Sequence, residues 1–73
     1  MVSTEHVVVR SSKIKSVGYD LERKVLEVKF KNGHLYIFKE VPANFYIECL
    51  MADSVGRFFY QNIMETFPYT IVE

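Results

Sequence analysis

Asn32-Gly33 lies between two alternating stretches, Val25-Leu26-Glu27-Val28-Lys29-Phe30 and Leu35-Tyr36-Ile37-Phe38, and nothing else in the chain constrains the fold as strongly. Asn and Gly both tolerate the positive φ of a type I′ turn, whose twist matches that of the flanking strands. The stretch therefore reads as a β-hairpin with a two-residue loop. That loop predicts a register in which Lys31 faces His34, Phe30 faces Leu35, Lys29 faces Tyr36 and Val28 faces Ile37. Side chains alternate between the faces of a sheet, so the register sorts the hairpin into two surfaces. Leu26, Val28, Phe30, Leu35 and Ile37 make an aliphatic face, the expected core. Glu27, Lys29, Lys31, His34, Tyr36 and Phe38 make a face that mixes rings with charge.

The flanking chain extends this unit on both sides. Residues 1–5 are expected to be loose, and His6-Val7-Val8-Val9-Arg10 reads as a strand or an extended arm that pairs with an edge. Residues 1–10 thus form an arm or edge strand ahead of a single domain at 11–73. Lys13-Ile14-Lys15-Ser16-Val17-Gly18-Tyr19-Asp20 is a second strand, in which Gly18 suggests a bulge or a close backbone approach. Residues 21–24 are a polar turn. Beyond the hairpin, Val41-Pro42 ends the sheet, and residues 43–52 carry Phe45, Tyr46, Cys49 and Leu50 on one helical stripe. Asp53-Ser54 supplies a cap for a second helix over residues 55–65, with Val55, Phe58, Phe59, Asn62 and Ile63 on one face. Gly56 there would let a neighbouring backbone come near. Pro68 stops that helix, and residues 69–72 suit a last short strand. The fold class is α+β: an antiparallel β-meander of three to five strands with two short α-helices packed on one face.

Size and charge narrow the function. A chain of 73 residues is near the lower limit for a self-sufficient core, and 49% hydrophobic content with five Tyr and six Phe favours a folded globule. Apolar surface left over on so small a body would also suit a homo-oligomer. Nine basic residues against nine acidic ones give no global attraction to nucleic acid, so any phosphate must be held by a local patch. Cys49, the lone cysteine, has no partner for a disulfide or a thiolate metal site and is expected as a small buried apolar group. No apolar run approaches the ~20 residues of a membrane span. Nor does the N-terminus have the basic and apolar parts of a signal peptide, so a cytoplasmic location is expected.

Enzymatic patterns are missing. His6 and His34 fit no metal-ligand spacing, Ser54-Val55-Gly56 is no nucleophile elbow, and the three glycines make no phosphate loop. No catalytic residue, metal or cofactor is expected. Two clusters are candidates for binding. In the first, Tyr36 and Phe38 lie two apart on a strand, with Lys29 and Lys31 on its partner, an arrangement suited to stacking bases while holding phosphate. Packing of those rings on another strand, a helix or a second subunit is the competing reading, and Glu27 and Glu40 flank the patch. In the second, Ser54, Arg57, Tyr60 and Gln61 lie at and after a helix start, where an Arg can fork onto phosphate. A capped, solvated helix start accounts for the same residues.

Read in order, several short motifs make a more specific pattern: Ser11-Ser12-x-Ile14, Val17-Gly18-Tyr19-Asp20, Leu26-x-Val28-x-Phe30, Gly33-x-x-Tyr36-x-Phe38, Val41-Pro42, Tyr46, Leu50, Ala52-x-Ser54-x-Gly56, Phe59 and Ile63. From Ser11 to about Tyr69 the chain resembles the KTSC domain. That small family is named for its occurrence at the C-terminus of some lysyl-tRNA synthetases and also occurs as free-standing bacterial and phage proteins. The resemblance implies no established activity; the synthetase association implies RNA binding by analogy. The family's central Tyr-x-Tyr falls on Tyr36 and Phe38, so one hydroxyl is lost. Its usual Phe-Asn pair reads Phe59-Tyr60, and a basic residue often found after the helix isoleucine is Met64. These departures shift the expectation from long RNA toward a small nucleotide held between subunits, which in a phage would mean sequestering a host signalling nucleotide. The expected function is a non-catalytic binding module for RNA or a small nucleotide. The alternative is a homo-oligomeric protein-interaction module.

Overall fold

Strand β3, Val25–Phe30, alternates half-buried and buried side chains along its whole length, as a strand with one face on a core must. It pairs antiparallel with β2, Ile14–Asp20, on one side and β4, Leu35–Phe38, on the other. Strands β1, His6–Val8, and β5, Tyr69–Ile71, form the two edges. The spatial order of the five strands is the chain order. The computed structural model describes residues 5–72. The expectation of a loose start therefore lies outside the described residues, except at Glu5.

Two short helices join β4 to β5 and cover one face of the sheet. Helix α1, Ala43–Met51, begins after Pro42, whose carbonyl accepts the N–H of Phe45. Its predicted stripe faces inward, with Cys49 buried and Phe45, Tyr46 and Leu50 packed at the core margin. Ser54 caps the second helix: its Oγ accepts the N–H of Arg57 at 3.3 Å. That helix differs from the even α-helix predicted over residues 55–65. One α-helical turn, α2, Val55–Phe58, widens into a π-helical turn over Phe59–Ile63, where the N–H of Met64 donates to the carbonyl of Phe59. Val55, Phe59 and Ile63 still enter the core, against Ile14, Val17, Leu26, Val28, Phe30 and Phe38.

The hairpin loop holds three residues rather than two, and this corrects the expected faces. Phe30 N–H donates to the His34 carbonyl at 2.9 Å, and Gly33 N–H donates to the Phe30 carbonyl at 3.0 Å. Gly33 has φ +100°, whereas Asn32 is not in the positive-φ region that a type I′ turn would demand. This is a tight turn closed by a glycine bulge, the usual three-residue solution. The pairing becomes Lys29 with Leu35, Val28 with Tyr36, Glu27 with Ile37 and Leu26 with Phe38. A one-residue slip moves every side chain of β4 to the other face. Tyr36 and Phe38 therefore join the core side, while Leu35 and Ile37 join Lys29 and Glu27 on the open side. The larger rings gain the covered face, where aromatic burial contributes most. Phe38 is fully buried, edge-on to Phe59 at 5.3 Å between centroids.

The bulge expected at Gly18 also lies elsewhere, between Ile14 and Ser16. Gly18 keeps regular register between His6 on β1 and Glu27 on β3. With no side chain there, the His6 ring reaches across to Glu27.

Candidate functional site

The slip that buries Phe38 separates the first predicted cluster. Lys29 and Phe38 now project from opposite faces of the sheet, and Phe38 has no exposed ring to offer a base. Tyr36 stays half-buried at the margin, stacked on Tyr69 at 5.2 Å and tilted against Phe30 at 4.9 Å. From there it lines a groove of about 590 Å³ with Phe30, Lys31, Asn32, Ser12, Lys13 and Tyr60. The slip costs the site one ring and one lysine. It gains Lys13.

Lys13 stands beside Lys31 because β2 meets β3 there: the N–H of Lys31 donates to the carbonyl of Lys13 at 2.8 Å. Tyr60 enters from the π-helical turn, its ring 6.5 Å from Phe30 and 5.2 Å from Phe59. The second predicted cluster continues the same depression. A hollow of about 230 Å³ is lined by Ser54, Gly56, Arg57 and Ser11, and it shares Ser12, Lys13 and Tyr60 with the larger groove. Gln61 does not reach it; it lines an adjoining hollow with Asp53, Phe58 and Asn62. The structure thus merges two clusters that the sequence kept apart.

The electrostatics of the merged groove are one-sided. Lys13, Lys31 and Arg57 line it, and no carboxylate among the described residues does. An ion pair lies elsewhere, between His6 and Glu27. Three cations that form no ion pair among the described residues present a local positive field on a chain whose net charge is zero.

Comparison with known proteins bears on this arrangement. Residues 10–67 match the model of the KTSC domain. The chain belongs to the KTSC domain family. A related uncharacterised protein of Stutzerimonas stutzeri is 44% identical over 57 residues, 78% of this chain and 80% of that protein. A protein of Tsukamurella paurometabola is 40% identical over 50 residues, 68% of this chain and 75% of that protein. The crystal structure of a KTSC domain protein from Yersinia pestis superposes with a TM-score of 0.90 at 32% identity, covering 97% of this chain and all of that one.

Two of the motifs that carry the KTSC resemblance meet in the groove. Ser11 Oγ accepts the N–H groups of Lys13 and Ile14, each at 3.2 Å, and so sets the turn that delivers Lys13. Gly56, of the Ser-x-Gly motif, faces that hydroxyl. A Cβ at Gly56 would lie 3.3 Å from Ser11 Oγ, a closer contact than side chains normally make. The glycine makes room for a side chain rather than for the neighbouring backbone that the sequence suggested.

Sequence reasoning missed Ser12, Lys13, Phe30 and Asn32 as lining residues. The available signal was Ser11-Ser12-x-Ile14, which places a polar turn and a lysine just before a strand that borders the hairpin.

On the open face, His6 is not the isolated residue that its sequence position suggests. Its Nδ1 is 2.8 Å from Ser16 Oγ and its Nε2 is 2.8 Å from Glu27 Oε1. Ser16 is 7% exposed. This three-residue chain ties β1 to β2 and β3. Cys49 is fully buried, and burial pushes its thiol up to about 11. No group of three or more His, Cys, Asp or Glu residues suited to a metal occurs among the described residues. No helix among them is long and apolar enough to cross a membrane.

Proposed function

We propose that this KTSC domain is a non-catalytic module that binds RNA or a small nucleotide in the groove between β2, the hairpin loop and the π-helical turn, in the cytoplasm. One observation supports it above the rest. Tyr36 and Tyr60 share a continuous depression with Lys13, Lys31 and Arg57, and no acidic side chain among the described residues lines it. Rings give a sequence-tolerant stacking surface, and the cations hold phosphate oxygens, Arg57 in bidentate fashion. Tyr60 is 38% exposed, so its ring is available to a ligand at little structural cost. Titration of the full chain at low salt, with a short single-stranded RNA and with nucleoside monophosphates, tests the proposal. Tyr60→Ala and Arg57→Ala should each weaken binding by about tenfold, the scale of one lost stack or one charge-assisted contact. Unchanged affinity in both variants would remove the groove from consideration.

Homo-oligomerisation is the second reading. It is favoured by the edge strand β5, where Tyr69, Ile71 and Val72 are about half-exposed beside unpaired backbone. Solution mass measured over a range of concentrations, with Ile71→Lys as the disrupting variant, separates it from ligand binding.

A further inference from the structure

We infer that the groove selects bases with a carbonyl edge, of the guanine, hypoxanthine or uracil type, over bases with an amino group in that position; this rests on the nucleotide reading above. Stacking on Tyr36 and Tyr60 is blind to that difference, because every base offers a π-face. Selection must come from the polar rim.

Among the rim side chains whose role is fixed by chemistry, donors prevail; the hydroxyls of Ser12, Tyr36 and Tyr60 can give or take. Asn32 decides the point. An asparagine with both side-chain atoms free reads adenine by accepting from its amino group and donating to N7. The Oδ1 of Asn32 already accepts the N–H of His34 at 3.0 Å, which holds the turn and leaves one lone pair. Its Nδ2 has no protein partner among the described residues, so Asn32 offers the groove two donors against that single lone pair. Lys13, Lys31 and Arg57 are donors by chemistry.

Nearby backbone acceptors are engaged too. The carbonyl of Lys13 takes the N–H of Lys31, and that of Phe30 takes the N–H of Gly33. Ser11 Oγ accepts two backbone N–H groups and Ser54 Oγ accepts one, and both hydroxyl protons remain to donate. Asp53, the nearest carboxylate in sequence to Arg57, lines the adjoining hollow and not this one.

A base amino group placed against this rim loses its water and meets other donors. A carbonyl oxygen, or the O6/N7 pair of guanine, meets partners. Sites built this way discriminate strongly, because the wrong ligand leaves a polar group unpaired.

The test is isothermal titration of the full chain with two matched pairs, inosine against adenosine monophosphate and uridine against cytidine monophosphate. Each pair exchanges a carbonyl for an amino group and leaves the sugar and phosphate alone. The carbonyl member should bind about tenfold tighter or more in both pairs. Asn32→Asp keeps the oxygen that accepts from His34 and removes the donor, so the ratio should fall below about threefold. Equal binding, or preference for the amino member, overturns the selectivity and leaves the groove as a nucleotide site. A ratio that survives Asn32→Asp overturns the role given to that residue. If none of the four nucleotides binds at millimolar concentration, the groove reading fails and the selectivity fails with it.

Discussion

Cys49 is buried among apolar side chains, and its thiol is raised from 9.0 to about 11 by desolvation. The folded chain therefore keeps a proton that the unfolded chain releases from about pH 9 upward. The favourable contribution is fully present below pH 9 and is lost as pH rises toward 11, by about 2–3 kcal/mol at most. Urea midpoints at pH 8 and pH 10.5 should show the loss, and Cys49→Ala should show a smaller one. Tyr19 and Tyr46 act in the same sense at higher pH. Burial raises both, and Tyr19 also feels Asp20, while Tyr46 feels Cys49. A midpoint that falls as far in Cys49→Ala would remove the thiol as the cause. The burial of Cys49 was legible in the sequence, because it sits on the stripe of Phe45, Tyr46 and Leu50. The bonds of His6 were not. Its partners lie 10 and 21 residues away, and only strand register brings them within reach.

At the scale of elements, the hairpin loop closes on a single glycine. Gly33 holds φ +100°, and nothing lies within 4 Å of a Cβ added there. Gly33→Ala therefore isolates the conformational term and should cost about 1–2 kcal/mol. For a domain of this size that lowers the melting temperature by roughly 4–8 °C per kcal/mol, measured by circular dichroism. A melting temperature within 1–2 °C of the parent would show that the loop can adopt another turn at no cost. The existence of the hairpin could be read directly, because Leu26, Val28 and Phe30 alternate with Glu27 and Lys29. Its register could not. Asn-Gly serves two-residue and three-residue loops alike, and Leu35-Tyr36-Ile37-Phe38 is apolar on both faces, so the pattern casts no vote. Tertiary packing, with Phe38 buried against Phe59 and Tyr69, favours the three-residue loop. The helices suffer less from this ambiguity, since their stripes survive small changes of pitch. For that reason the π-helical turn altered the position of Tyr60 but left the inward face of Val55, Phe59 and Ile63 intact.

At the scale of the whole molecule, balanced charge turns salt dependence into a direct reading of the groove. A basic protein is drawn to RNA by its entire surface, and the salt slope then counts contacts that no single site explains. Here the formal net charge is zero, so counterion release must come from the few cations that touch phosphate. If Lys13, Lys31 and Arg57 each neutralise one phosphate of a short single-stranded RNA, log Kobs should fall with log salt at a slope of about −2. Arg57→Ala should bring the slope to about −1.4. Lys29→Ala removes a charge of the same sign from the opposite face of the sheet, and under this assignment it leaves the slope where it was. The two substitutions change net charge equally, so a difference between them measures position alone. If both reduce the slope to the same extent, RNA is tracking overall charge, and the edge strand β5 becomes the surface to pursue.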